Sequence, residues 1–126
     1  MNDELYLLDA TEAAQRISQK QITVVDLIQS CLARIEKVEP VVEAWVYLAP
    51  EIALAKAKDL DKRIKNGAAI GPMVGIPIGI KDIFNTYDMP TQMGSPIWKD
   101  FTPGNDARVV HYLRMANAII LGKTVT

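Results

Sequence analysis

The stretch Gly71–Asp82, which reads GPMVGIPIGIKD, decides how this chain folds. Every second residue from position 74 to position 80 is apolar, as in a strand that lays one face on a core: Val74, Ile76, Ile78 and Ile80. The opposite face holds two glycines and Pro77, and it stays nearly bare until the ammonium of Lys81. Because Pro77 has no N–H to donate, we predict an edge strand or an irregular one. Gly79 is expected to leave room for another backbone or a ligand beside Lys81.

The pattern leaves two interpretations of Lys81 open. In the first, its ammonium lies at a solvated strand end, with Asp82 as a neighbouring counter-charge. In the second, the side chain is drawn into a tight interior, where burial disfavours the ammonium and the neutral amine can serve as a base. Periodicity does not choose between the two.

Helical patterns alternate with short apolar strands along the chain, which favours an α/β sheet. Asp9 or Thr11 can cap the first helix, and Thr23 with Asp26 predicts a capping box at the start of the second. Cys31 lies on the apolar stripe of that second helix, so we interpret it as a core residue and not as a nucleophile. The predicted elements are a helix ending near residue 18, a helix over 23–40 ended by Pro40, a strand over 44–48, a helix over 50–66, a helix capped by Asn105 or Asp106, and a buried strand over 118–121.

Composition narrows the classes of function. The chain has 126 residues, and its 14 Lys and Arg against 15 Asp and Glu leave no basic excess for a nucleic-acid partner. No run approaches the roughly 20 apolar residues that span a bilayer, and the acidic start lacks the positive segment of a secretory signal. A single cysteine cannot form an internal disulfide, which fits a reducing cytoplasm. We therefore expect a cytoplasmic location, no nucleic acid in contact with this segment, and no membrane as partner.

From about Leu5 to Thr126 the chain resembles the amidase signature family of serine amidases. Gly71–Asp82 is similar to the family segment GPLxGIPxxxKD. Pro90–Ser95 corresponds to a Thr-rich Gly-Ser turn of the family, and Asp106–Thr124 is similar to its helix–strand pair DAxVVxxLR…AxIxGKT. The resemblance implies an α/β fold made of the family's N-terminal helices and the first strands of its mixed sheet.

The resemblance also implies a mechanism. Members use a serine, a second serine in a cis peptide, and a lysine, and the lysine matches Lys81 by position. Its neutral amine would accept a proton through the cis serine, so that the nucleophilic serine attacks an amide carbonyl and backbone N–H groups stabilise the intermediate. The resemblance thus makes Lys81 the catalytic residue and a small-molecule amide the substrate, and it implies no metal and no organic cofactor.

The two serines of the triad are not expected within this chain. In the family they lie downstream of the part that matches Thr126, in a Gly- and Ser-rich segment. Ser18 and Ser30 lie on or near helices, and Ser95 is expected to shape a turn. We therefore expect residues 1–126 to be an N-terminal fragment of one amidase signature domain, inactive on its own, with a helical part over about 1–67 and the strand of Lys81 with the next helix–strand unit over about 68–126.

Three further expectations concern partners and alternatives. Uncovered strand edges and apolar faces predict that the isolated chain associates, so a homo-oligomer is one expected state. The complete protein has two alternatives to an amidase: the subunit of a glutamine-dependent amidotransferase that releases ammonia for transfer RNA charging, or a non-catalytic association module. His111 is interpreted as a helix-surface or packing residue, Trp45 and Trp98 as packing residues, and the charges over 56–63 as a solvated helix face.

Overall fold

The computed structural model of the protein describes residues 4–68 and 70–126. The acidic start at residues 1–3 and residue 69 of the uncharged stretch lie outside the described residues. The described part confirms the α/β class. Its helices and strands are, in order, α1 (Ala10–Ser18), α2 (Val24–Val42), β1 (Trp45–Leu48), α3 (Pro50–Lys65), β2 (Pro77–Lys81), α4 (Arg108–Met115) and β3 (Ile119–Thr124).

β3 is the central strand of a three-stranded mixed sheet. It pairs antiparallel with β1 and parallel with β2. Five of its residues, Ile119–Lys123, are buried, as the apolar pattern predicts, and the strand continues three residues past the predicted end at Leu121. β2 lies at an edge of the described sheet, and its register with β3 shifts between Ile78 and Gly79. Both expectations raised by Pro77, an edge position and an irregular strand, are therefore confirmed.

The sheet separates two apolar clusters. Ile119 and Leu121 of β3 belong to the larger cluster, which includes the buried apolar residues of α1, α2 and α3, whereas Ile120 packs in the smaller one with Val110 of α4. Ile78 packs against both clusters, so the two clusters meet at this residue.

The single apolar face predicted for residues 74–80 is wrong. Val74 and Ile76 lie in the larger cluster, whereas Ile80 lies in the smaller one. The strand begins only at Pro77, after a turn, and the register shift that follows breaks the alternation. The apolar residues of this segment therefore serve both sides of the sheet.

The helix starts follow the predicted caps in α1 and α2. The Asp9 carboxylate accepts the Glu12 backbone N–H at 2.8 Å, so Asp9, not Thr11, caps α1. Thr23 and Asp26 form the predicted capping box of α2. Within the described residues, no helix is long and apolar enough to cross a membrane.

Two predicted helix boundaries are wrong. Pro40 lies inside α2, which continues to Val42, because a proline in the last turn leaves unpaired only a carbonyl group that water can reach. The helix then ends at Glu43 in the left-handed conformation. α4 begins after Ala107 without a side-chain cap, because the Asp106 carboxylate instead binds Arg114 and the backbone N–H of Tyr87.

The charged face of α3 is not only solvated. The Asp61 carboxylate accepts the backbone N–H groups of Val24 and Val25 at 2.7 and 3.0 Å, and so satisfies two free donors at the start of α2. Lys56 lies 3.4 Å from the carboxylate of Asp88. The expectation of a purely solvated face is therefore wrong. Asp61 joins α3 to α2, and Lys56 joins α3 to the segment after β2.

Candidate functional site

Lys81 is the last residue of β2, at the carboxyl end of the strand. It pairs with Thr124 of β3, and its carbonyl oxygen accepts the Phe84 N–H at 3.0 Å in the turn that follows. The side chain is exposed, and within the described residues its ammonium has no hydrogen-bond or ion-pair partner. Within the described residues, the Lys81 side chain therefore lies unpaired at the edge of the sheet.

Lys81 lies at a solvated strand end, as in the first interpretation of the sequence, but Asp82 is not its counter-charge. Asp82 directly follows β2 and is 1% exposed, buried like Ile80 two residues earlier, whereas Lys81 between them faces solvent. Its carboxylate oxygen Oδ1 lies 3.2 Å from the Nζ atom of Lys123 in β3. The other oxygen, Oδ2, accepts the backbone N–H of Gln92 at 3.2 Å.

Lys123 is fully buried at the centre of this cluster. Its ammonium donates to the Pro90 carbonyl oxygen at 3.0 Å and to the Thr91 hydroxyl at 2.8 Å, in addition to the ion pair with Asp82. Burial lowers the pKa of Lys123 below its usual range, and Asp82 and, more weakly, Asp88 oppose that change. The ammonium thus has two hydrogen-bond acceptors, and Asp82 is its ion-pair partner.

The sequence contained a signal for this cluster that pattern reasoning did not use. Lys123 follows directly on a strand of four apolar residues and a glycine, and no other charged side chain lies between Arg114 and the chain's last residue. A lysine in such a strand needs a buried partner. Only the parallel pairing of β2 with β3 reveals that the partner is Asp82.

The space beside Gly79 is already filled by the chain itself. A Cβ atom at Gly79 would lie 2.9 Å from the Thr124 methyl group and 2.9 Å from the indole ring of Trp45. The predicted room for a backbone or a ligand is therefore wrong. The interpretation of Trp45 as a packing residue is confirmed, since the ring packs against the larger apolar cluster.

The three serines have structural contacts. The Ser18 hydroxyl donates to the Ala14 carbonyl at 2.9 Å, and Ser30 Oγ accepts the Tyr6 N–H at 3.1 Å. Ser95 begins a short 3-10 helix, where its hydroxyl accepts the Ile97 N–H at 3.3 Å, so the predicted turn role is confirmed. The described hydrogen bonds join none of the three to Lys81.

Three further candidate residues are Cys31, His111 and Trp98. Cys31 is partly buried against the larger cluster, and burial raises the pKa of its thiol, which agrees with a core residue that is not a nucleophile. His111 is exposed on α4, with its ring 5.8 Å from that of Tyr112. Trp98 is 42% exposed and packs edge-on against Phe101.

We expect the buried ammonium of Lys123 to titrate at lower pH than surface lysines, because burial disfavours its charged form. The measurement is an NMR titration of the protein labelled with ¹³C at lysine Cε, with the Lys123 signal assigned by its loss in Lys123→Met/Asp82→Leu, which leaves no unpaired carboxylate buried. Lys58, which is exposed on α3, is the internal reference. A Lys123 signal that titrates together with that of Lys58 would contradict the buried environment.

These features define an α/β unit with a free lysine at the carboxyl end of an edge strand, above a buried Lys–Asp pair. The family profile described as Amidase matches residues 26–126. The chain therefore belongs to the amidase family.

Individual relatives agree with this membership. A putative amidase AmiD of Mycobacterium bovis is 41% identical over 96% of the chain and 26% of its own length. A glutamyl-tRNA(Gln) amidotransferase subunit of Chloroflexus aggregans is 41% identical over 95% of the chain and 25% of its own length. The structure of the native peptide amidase from Stenotrophomonas maltophilia matches with a TM-score of 0.89 and 32% identity, over 98% of this chain and 26% of that one. The chain thus spans about a quarter of the length of these relatives.

Proposed function

We propose that this chain is the N-terminal part of an amidase signature domain and that it supplies the lysine base of a Ser–cisSer–Lys triad. The observation that carries the proposal is the position of Lys81. It ends the strand formed by the GIPxxxKD motif, and its amine is exposed and unpartnered within the described residues. An amine without a hydrogen-bond or ion-pair partner among the described residues is free to engage groups that further chain brings to the same strand end.

The proposed reaction is hydrolysis of a carboxylic amide in two stages. The neutral Lys81 amine accepts a proton relayed from the nucleophilic serine through the cis serine, and the serine oxygen bonds to the amide carbonyl carbon. The tetrahedral intermediate collapses, the C–N bond breaks, and the proton passes to the leaving ammonia or amine. Water then attacks the acyl-enzyme while Lys81 accepts its proton, and as the ester C–O bond breaks that proton returns through the cis serine to the nucleophilic serine, which releases the carboxylic acid.

The experiment is an assay of the complete protein, meaning the full reading frame that contains this chain, with small primary amides and detection of ammonia. We expect the complete protein to release ammonia. We expect no Lys81-dependent ammonia release from the purified 126-residue chain, because among its described residues no serine is hydrogen-bonded to the base. The proposal fails if the complete protein releases no ammonia from any amide tested. Lys81-dependent hydrolysis by the 126-residue chain alone would contradict the expected inactivity of that chain.

The second candidate is one component of a glutamine-dependent amidotransferase. It is supported by the Chloroflexus aggregans relative, whose 41% identity equals that of the putative amidase. Such a component would release ammonia efficiently from glutamine only when its partner subunits are present, whereas an amidase needs none. The assay is therefore run with glutamine as one substrate.

A third candidate is a non-catalytic association module. It would be favoured by a folded complete protein in which Lys81→Ala changes no measured property. We place the protein in the cytoplasm, with a small amide as its substrate.

A further inference from the structure

Lys81 is followed by a short turn that the rest of the chain holds from both sides. The Phe84 N–H donates to the Lys81 carbonyl oxygen at 3.0 Å and closes the turn 81–84. The Asp82 N–H donates to the Thr124 carbonyl at 3.0 Å, and the Asp82 carbonyl accepts the Met93 N–H at 2.9 Å. The backbone that carries the Lys81 side chain is thus part of a hydrogen-bonded network.

Lys123 connects the two halves of that network. Its ammonium pairs with Asp82, the second residue of the turn, at 3.2 Å. It also donates to the Thr91 hydroxyl, which itself lies 3.4 Å from the Phe84 carbonyl oxygen, at the last residue of the turn. One buried ammonium therefore holds the turn directly at one end and through a single hydroxyl at the other.

Stability alone is a weak explanation for such a pair. Replacing both partners of a buried ion pair with apolar residues is often neutral or stabilising, whereas removing one partner is strongly destabilising. An ammonium with three fixed partners orients the groups that it binds, and an apolar side chain does not. Here those groups flank Lys81.

We propose that Lys123 is a positioning residue that orients Lys81 through Asp82 and Thr91. The inference rests on the proposed function, because orientation of Lys81 has a consequence only if Lys81 transfers a proton. A misplacement of about 1 Å in a reacting group can cost about 100-fold in rate. Loss of the network is therefore expected to reduce kcat and to leave KM nearly unchanged.

The test uses the complete protein and two sets of variants. Lys123→Met/Asp82→Leu removes both charges together, so no unpaired carboxylate stays buried. Thr91→Val removes only the hydroxyl and keeps the volume, and its matched control, Thr91→Ser, keeps the hydroxyl and loses a methyl group. Thermal unfolding of each variant verifies that the fold is retained before kcat and KM are compared.

We expect a kcat at least about tenfold lower, with KM within about twofold, for Thr91→Val and for the double variant, and near wild-type values for Thr91→Ser. A packing role would give the opposite order for the Thr91 pair, since Thr91 is fully buried and valine fills its space better than serine. The inference is overturned if Thr91→Val keeps its kcat or if Thr91→Ser loses as much. In those cases the wild-type protein still hydrolyses amides, so the result is distinct from failure of the proposed function, in which the wild-type protein hydrolyses none.

Discussion

Replacing Lys81 with alanine is expected to lower kcat of the complete protein for a simple amide by about 100-fold or more, because general-base catalysis typically contributes about 100- to 10,000-fold. Lys81 is exposed and its ammonium has no hydrogen-bond or ion-pair partner within the described residues, so its loss should leave the fold intact. The measurement compares kcat and thermal unfolding for the variant and the wild type.

Lys58→Ala is the matched control for this experiment, because Lys58 is another exposed lysine, in the middle of α3. We expect Lys58→Ala to keep both activity and stability. Activity of Lys81→Ala within a few-fold of the wild type would refute the role of Lys81 as the base.

Replacing Gly122 with alanine is expected to destabilise the fold by about 3 kcal/mol or more, because overpacking at a site without free space forces the backbone to move. A Cβ atom there would overlap the Tyr47 carbonyl oxygen and would lie 2.9 Å from Leu48 Cα. β1 would have to move away from the central strand β3. The measurement is thermal or urea unfolding of the protein.

Gly104→Ala separates this steric effect from the general effect of replacing a glycine. Gly104 has a φ of 76° and nothing within 4 Å of an added Cβ, so its replacement costs only backbone strain, about 1 kcal/mol. Equal destabilisation by the two substitutions would contradict the close approach of β1 to β3 at Gly122.

Local signals in the sequence predicted much of the fold. The capping box of Thr23 and Asp26, the irregular edge strand at Pro77 and the buried central strand all depend on contacts between near neighbours or on runs of apolar residues. Apart from the boundary at Pro40, the wrong predictions depend on tertiary contacts. Asp106 looks like a helix cap until Arg114 and the Tyr87 N–H are known to bind it.

The residues of the candidate site also differ in whether local sequence or tertiary contacts reveal them. Lys81 was found through a motif of consecutive residues, and its role stays a prediction. Lys123 could not be assigned, because a lysine 42 positions away from Lys81 acquires its place only through the parallel register of β2 and β3. The interpretation in which Asp82 is the counter-charge of Lys81 fails for the same reason, since Asp82 is buried against Lys123.

The central claim, that Lys81 acts as the proton acceptor in amide hydrolysis, is tested most directly by rescue of Lys81→Ala with small primary amines. The variant removes the side chain beyond Cβ and with it the proposed base, whose role an added amine can take over. We predict that the hydrolysis rate of the variant rises with the concentration of the neutral form of the added amine, while the wild-type rate does not. A variant whose rate does not respond to any amine, or which is as active as the wild type without one, would contradict the claim.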